Sequence, residues 1–189
     1  GFTQAGFFKE SVNFDRGYED PVHSIRRQSE GIYAMLHFLA YEKENGRRHP
    51  EWEQKMKNML DILLQLQHAD GSFPRKFHDD FTVVDDSGGS TPSATLPLIM
   101  GYKYFKDKRY LASAKRTADY LEKVLISKAD YFSSTLDANC EDKEASLYAA
   151  TATYYLSLIT KGDEHRHYAD LARKAAYFAL SWYYVWDVP

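Results

Sequence analysis

Cysteine is nearly absent from this sequence, since Cys140 is the only one among 189 residues. An internal disulfide is therefore excluded, and no cysteine pair is available for a zinc site. No uninterrupted apolar run reaches the roughly 18 residues that a membrane span needs. The chain begins Gly1-Phe2-Thr3, which starts no signal peptide. We therefore expect no membrane span, no metal and no cofactor.

An excess of charge of one sign is also lacking. The 24 Lys and Arg residues are interspersed with 27 Asp and Glu residues, and the net charge is -3. Without a basic stripe to neutralise phosphates, nucleic acid is not an expected partner. Aromatic residues are abundant at 15%, and such side chains either fill cores or face flat ligands. The chain length fits a single domain, 1–189.

Six segments have the apolar spacing of helices, and segments predicted to be buried alternate with amphipathic ones. Segments 94–105 and 145–160 carry little or no charge, and segment 25–41 is expected to be buried nearly all round. The segments between them are amphipathic. The sequence therefore predicts three helical hairpins, at about 22–67, 92–126 and 143–184, after an N-terminal loop, 1–21.

The three amphipathic segments superimpose at a constant offset of about 58 residues, which indicates a true internal repeat. Four apolar columns come into register without a gap: Trp52, Tyr110 and Tyr168; Met56, Ala114 and Ala172; Leu60, Ala118 and Ala176; Ile62, Tyr120 and Phe178. The period is too long for a thin solenoid of short repeats. We expect an all-α fold, an α/α toroid-like array equal to half of an (α/α)6 barrel. Pro97 predicts a late start or a kink in the third helix.

The connections between the predicted helices are unequal in length. The long ones, 68–90 and 127–142, fall at the same end of the array, and the N-terminal segment 14–20 should lie there too. Long loops in compact domains usually carry function. The N-termini of the buried helices point to this end and favour carboxylates or anionic ligands. This end is therefore the predicted site.

Both long loops mix carboxylates with aromatic residues, as sugar sites do. Asp85 or Asp86 is the candidate acid or base, and Asp137 or Glu141 is its counterpart. The same residues could instead have no catalytic role, because acids are also common in solvated loops and near helix N-termini, where the helix dipole favours them. The candidate substrate-binding residues are Phe73, Arg75, Phe77, His78, Tyr131, Trp186 and Glu30.

For two residues, Glu30 and His68, the sequence also predicts a specific environment or role. Glu30 lies among apolar neighbours, so it should pair with Arg26 or Arg27 or face a cavity. His68 can shuttle protons, although a loop histidine is more often simply solvated.

The segment Gln67-His68-Ala69-Asp70-Gly71-Ser72-Phe73 resembles the Gln…Asp-Gly-x-aromatic turn of α/α toroids. Together with the acidic, aromatic loops, the pattern most resembles the six-hairpin glycosidase superfamily, whose members hydrolyse, cleave or epimerise carbohydrates. Those barrels close with six hairpins, and only three are present here. The resemblance therefore implies that the chain is part of a longer protein, with further hairpins supplied by that protein or by another copy.

The resemblance implies a carbohydrate-active enzyme of glycoside hydrolase type that acts on an oligosaccharide or polysaccharide through a carboxylate pair. A periplasmic or extracellular location would follow. One alternative is a noncatalytic helical-repeat module that binds glycan or protein. Another is a polysaccharide lyase or sugar epimerase on the same toroid.

Overall fold

The computed structural model describes residues 1–87, 91–132 and 141–183 of the chain. Six α-helices form three hairpins, which confirms the predicted all-α array. Their bounds are α1 Ile25–Glu44, α2 Pro50–Leu66, α3 Thr91–Phe105, α4 Lys108–Tyr120, α5 Lys143–Ile159 and α6 Gly162–Leu180. A π-helical segment, Leu121–Ile126, continues α4 directly. Within the described ranges, no helix is long and apolar enough to span a membrane.

Polar side chains fix several of the helix starts. Ser24, Asp107 and Asp142 each accept a hydrogen bond from a backbone N–H in the first turn of α1, α4 and α5. The third helix begins at Thr91 and includes Pro97, so the expected late start is wrong.

The third helix, α3, is the centre of the fold. Residues 91–101 are all buried, and α3 packs against α1, α4 and α5. The flanking helix α1 leaves Phe38 and Tyr41 exposed, and α5 leaves Tyr154 and Leu158 exposed. The expectation that α1 is buried nearly all round is therefore wrong, because α1 packs mainly against α3 and leaves part of its surface exposed.

The repeat columns lie on α2, α4 and α6, the outer helices, and form much of the core between these helices and the inner helices α1, α3 and α5. Met56, Ala114 and Ala172 are buried, as are Tyr110 and Tyr168. The equivalent Trp52 is 39% exposed, because the first hairpin lies at the edge of the array. The spacing therefore identified the packed face of each outer helix.

The connections at the predicted functional end contain short strands that sequence analysis treated as loop. β1 Val12–Asn13 pairs antiparallel with β2 Tyr18–Glu19. A second sheet has the order β3-β4-β5, formed by Val22–Ser24, Lys76–His78 and Val83–Asp85. This sheet joins the N-terminal segment to the connection between α2 and α3. The two segments thus lie at the same end, as expected.

Candidate active site

The N-terminal ends of α1, α3 and α5, with the segments that lead into them, form what we call the loop end. The backbone N–H of Ile25, at the start of α1, donates to the carbonyl of Arg75 at 3.1 Å. The N–H of Asp142, just before α5, donates to the carbonyl of Tyr131 at 2.7 Å. These bonds tie each long connection to a helix start. The loop end therefore has a defined backbone on which side chains can be compared.

Asp85 and Asp86 are neighbours in sequence, but each contacts a different basic side chain. One Asp85 carboxylate oxygen accepts from the Ser87 N–H at 3.0 Å, and the other lies 3.5 Å from Arg75 Nη1. Asp86 Oδ1 lies 3.3 Å from His68 Nε2, and the Asp86 side chain is 62% exposed. Arg75 is permanently charged, whereas histidine side chains commonly titrate near neutral pH. Asp86 is the more accessible of the two carboxylates.

Arg75 is buried at the loop end with an incomplete set of hydrogen bonds. Its backbone is fixed by the N–H that it donates to the Asp85 carbonyl at 2.7 Å. Its Nε and Nη2 atoms have no hydrogen-bond partner among the described residues. These two N–H groups lie on one edge of the planar guanidinium, the edge that suits two oxygens of one anion. Both atoms are buried from solvent, so Arg75 acts at the loop end as a buried positive charge.

Glu141 lies beside the start of α5, where its carboxylate accepts from the Tyr131 N–H at 3.1 Å. Burial raises the pKa of Glu141, and the nearby charge of Asp130 adds to the effect. A raised pKa favours the protonated form. The bond from the Tyr131 N–H acts in the opposite direction, and Glu141 itself is exposed to solvent.

A second group of side chains, the central cluster, joins α1 to α5 and consists of Arg26, Glu30, Glu144 and Tyr148. Arg26 Nε donates to Glu30 at 3.0 Å, and Arg26 Nη1 lies 2.6 Å from Glu144. The Tyr148 hydroxyl donates to Glu30. Burial and this bond raise the pKa of Tyr148 to about 12. The glutamates stay 42% and 43% exposed, so the cluster faces solvent.

The expected pairing of Glu30 with an arginine of its own helix is confirmed for Arg26. The bonds from Arg26 to Glu144 and from Tyr148 to Glu30 were not predicted from the sequence. Helical spacing places Glu30 one turn after Arg26, but no local pattern connects either residue to Glu144 or Tyr148, more than a hundred positions away.

The aromatic candidates of the loops are not exposed. Phe73, Phe77 and Tyr131 are each at most 1% exposed and belong to the hydrophobic core, so the expectation that they face a ligand is wrong. Phe77, for example, packs edge-on against Phe7 with ring centroids 5.3 Å apart. Tyr131, in the connection before α5, packs against Phe178 of α6 with ring centroids 4.4 Å apart.

The remaining candidates differ in how far their positions are known. His78 is half-buried, with Nδ1 3.4 Å from the Pro21 carbonyl oxygen. Asp137 and Trp186 lie outside the described residues. Within the described part of the chain, no group of three or more His, Cys, Asp or Glu side chains is arranged to hold a metal ion.

Comparison with known proteins identifies the fold. No protein-family model matches the sequence. Among solved structures, the chain is similar to an unsaturated glucuronyl hydrolase specific for heparin, with a TM-score of 0.68 and 19% sequence identity. The similarity covers 94% of this chain and 50% of that one. The chain therefore has an α/α toroid fold of the kind found in six-hairpin glycosidases, and it spans half the length of the enzyme it matches.

Proposed function

We propose that the protein is a carbohydrate-active enzyme of glycoside hydrolase type and that the loop end binds the saccharide. The observation that carries the proposal is the placement of Asp86, a solvent-accessible carboxylate beside a histidine, in the segment that leads into the central helix of this toroid. Glycoside hydrolysis requires two carboxyl groups in different protonation states. The loop end supplies candidates for both.

We assign the base to Asp86 and the acid to Glu141. Asp86 is exposed and can take a proton from the water that bonds to the anomeric carbon. Glu141, whose pKa is raised by burial, can donate its proton to the glycosidic oxygen as the carbon–oxygen bond breaks. Asp85 is the weaker candidate, because Arg75 and the Ser87 N–H already engage its two oxygens. Asp137 remains a predicted alternative to Glu141.

The buried positive charge of Arg75 at the loop end favours an acidic saccharide. Buried guanidinium groups bind carboxylate or sulfate through two parallel hydrogen bonds. The similar enzyme is described as a glucuronyl hydrolase specific for heparin, and both terms denote acidic sugars. We therefore propose that Arg75 binds an anionic substituent, with Glu30 and His78 contacting hydroxyl groups.

Substitution of single carboxylates tests this assignment on the purified protein with oligosaccharides of acidic sugars. We expect Asp86→Asn and Glu141→Gln each to lower kcat by at least roughly 100-fold, because acid–base groups contribute about that much. Asp85→Asn should have a smaller effect. Asp163→Asn is the matched control, since this exposed residue starts α6 and pairs with Arg166 there. Unchanged hydrolysis in both Asp86→Asn and Glu141→Gln would remove the assignment.

The same assay separates the alternatives by product. Saturable binding of the oligosaccharide without turnover would indicate a noncatalytic binding module. An unsaturated product would indicate a lyase, and a product of unchanged length would indicate an epimerase. Each of these outcomes would replace the hydrolase proposal.

A further inference from the structure

Four side chains form a continuous polar chain from the end of α2 to the segment before α3. The Ser72 hydroxyl lies 2.6 Å from Asp70 Oδ1, and the same hydroxyl lies 3.0 Å from His68 Nδ1. On the other side of the imidazole, His68 Nε2 lies 3.3 Å from Asp86 Oδ1. The turn after α2 thus connects through one histidine to the exposed carboxylate assigned above as the base.

The direction of each hydrogen bond follows from the number of protons available. Bonds from the Ser72 hydroxyl and N–H lower the pKa of Asp70, so Asp70 is an ionised acceptor. The single hydroxyl proton of Ser72 is therefore donated to Asp70. Toward the imidazole, Ser72 can only accept, and His68 Nδ1 must carry a proton. This arrangement fixes both the tautomer and the direction of the ring.

The other ring nitrogen, Nε2, then decides how His68 interacts with Asp86. In the neutral ring Nε2 has a lone pair that would face a carboxylate, which is unfavourable. In the protonated ring Nε2–H faces that carboxylate, and the two charges attract across 3.3 Å. The ionised Asp86 and the imidazolium therefore favour each other. The other charged group on this chain is Asp70, which also favours the imidazolium.

We propose that His68 is a positioning residue that holds the Asp86 carboxylate in place, with Ser72 and Asp70 fixing the imidazole. This inference rests on the proposed function for its catalytic meaning. The charge coupling between His68 and Asp86 can be measured without any activity.

Nuclear magnetic resonance of the histidine rings tests this arrangement. Nitrogen shifts of neutral His68 should show the proton on Nδ1, because Ser72 can only accept from that nitrogen. Ser72→Ala should release this tautomer. Asp86→Asn should shift the Nε2 resonance of His68, because the charge 3.3 Å away is removed, and Asp163→Asn should leave it unchanged. A proton on Nε2 in the wild type, or an unchanged Nε2 resonance in Asp86→Asn, would overturn the proposal.

The separate effects on kcat and KM test the positioning role. His68→Gln should lower kcat and leave KM nearly unchanged, because Asp86 is still present but is no longer held by the imidazole. A general structural loss would raise KM as well, and that result would overturn the proposal. If no saccharide is turned over, the proposed hydrolase function fails, whereas the nitrogen shifts still decide whether His68 and Asp86 interact.

Discussion

At the scale of single residues, Gly71 shows how tightly the turn after α2 is held. Its φ is +93°, and a Cβ at this position would lie 2.2 Å from the carbonyl oxygen of Arg116 in α4. We expect Gly71→Ala to lower the free energy of unfolding by about 3 kcal/mol or more, because backbone strain and a clash add together. Denaturant unfolding gives the value.

Gly46→Ala is the matched control for this prediction. Gly46 also has a positive φ, +76°, but a Cβ at this position would have no neighbouring atom within 4 Å. The substitution should therefore cost only the backbone contribution, about 1–2 kcal/mol. Equal losses in the two variants would contradict the proposed contact with α4.

The turn at Gly71 was predictable from the sequence, but its surroundings were not. The Asp-Gly pair is typical of a turn, and Gly71 has the positive φ that such a turn requires. Gln67 donates to the Ser113 carbonyl at 3.1 Å and to the Thr117 hydroxyl at 2.9 Å, and these residues lie far away in sequence. Candidate acids could likewise be named from their loops. Their partners could not, because side-chain direction depends on tertiary packing.

At the scale of elements, the Glu42 side chain stabilises the connection between α1 and α2 by contacting two basic residues in it. Its carboxylate accepts from Arg47 Nε at 2.7 Å and lies 2.9 Å from His49 Nε2. These bonds lower the pKa of Glu42 to about 2. Because this value lies below that of an unfolded glutamate, the contribution to stability is present above about pH 4.3 and is lost as the pH falls toward 2.

We expect Glu42→Gln to be less stable than the wild type at neutral pH and the difference to shrink between about pH 5 and pH 2. Urea unfolding over a pH series measures it. Glu44→Gln, at an exposed position in the same turn of α1, should show little difference at any pH. A difference for Glu42→Gln that stays constant with pH would argue against the ion pairs.

The elements themselves were only partly predictable. Helical periodicity identified all six helices, since each spans enough turns to display its apolar stripe. The strands are two or three residues long, too short for an alternating pattern, and β3 pairs with β4 across more than fifty positions. Pairing of this kind is decided by tertiary contacts, so the sheet could not be seen in the sequence.

At the scale of the whole molecule, side chains of the first hairpin contact side chains of the third. The central cluster makes one contact between α1 and α5, and the hydroxyls of Tyr33 and Tyr155 make another at 3.2 Å. The outward face of the third hairpin carries an apolar groove of about 710 Å³, lined in part by Tyr154 and Leu158.

The contact between the Tyr33 and Tyr155 hydroxyls can be used to test whether α1 and α5 meet in solution. Tyr33→Phe and Tyr155→Phe should each lower the free energy of unfolding by about 1 kcal/mol, because each leaves the other hydroxyl without its partner. The double variant should lose less than the sum, with a coupling of at least about 0.5 kcal/mol. Tyr154→Phe, at an exposed neighbouring position, should change little. Additive losses would mean that α1 and α5 do not meet in solution, and the central cluster would then be divided between two separate helices.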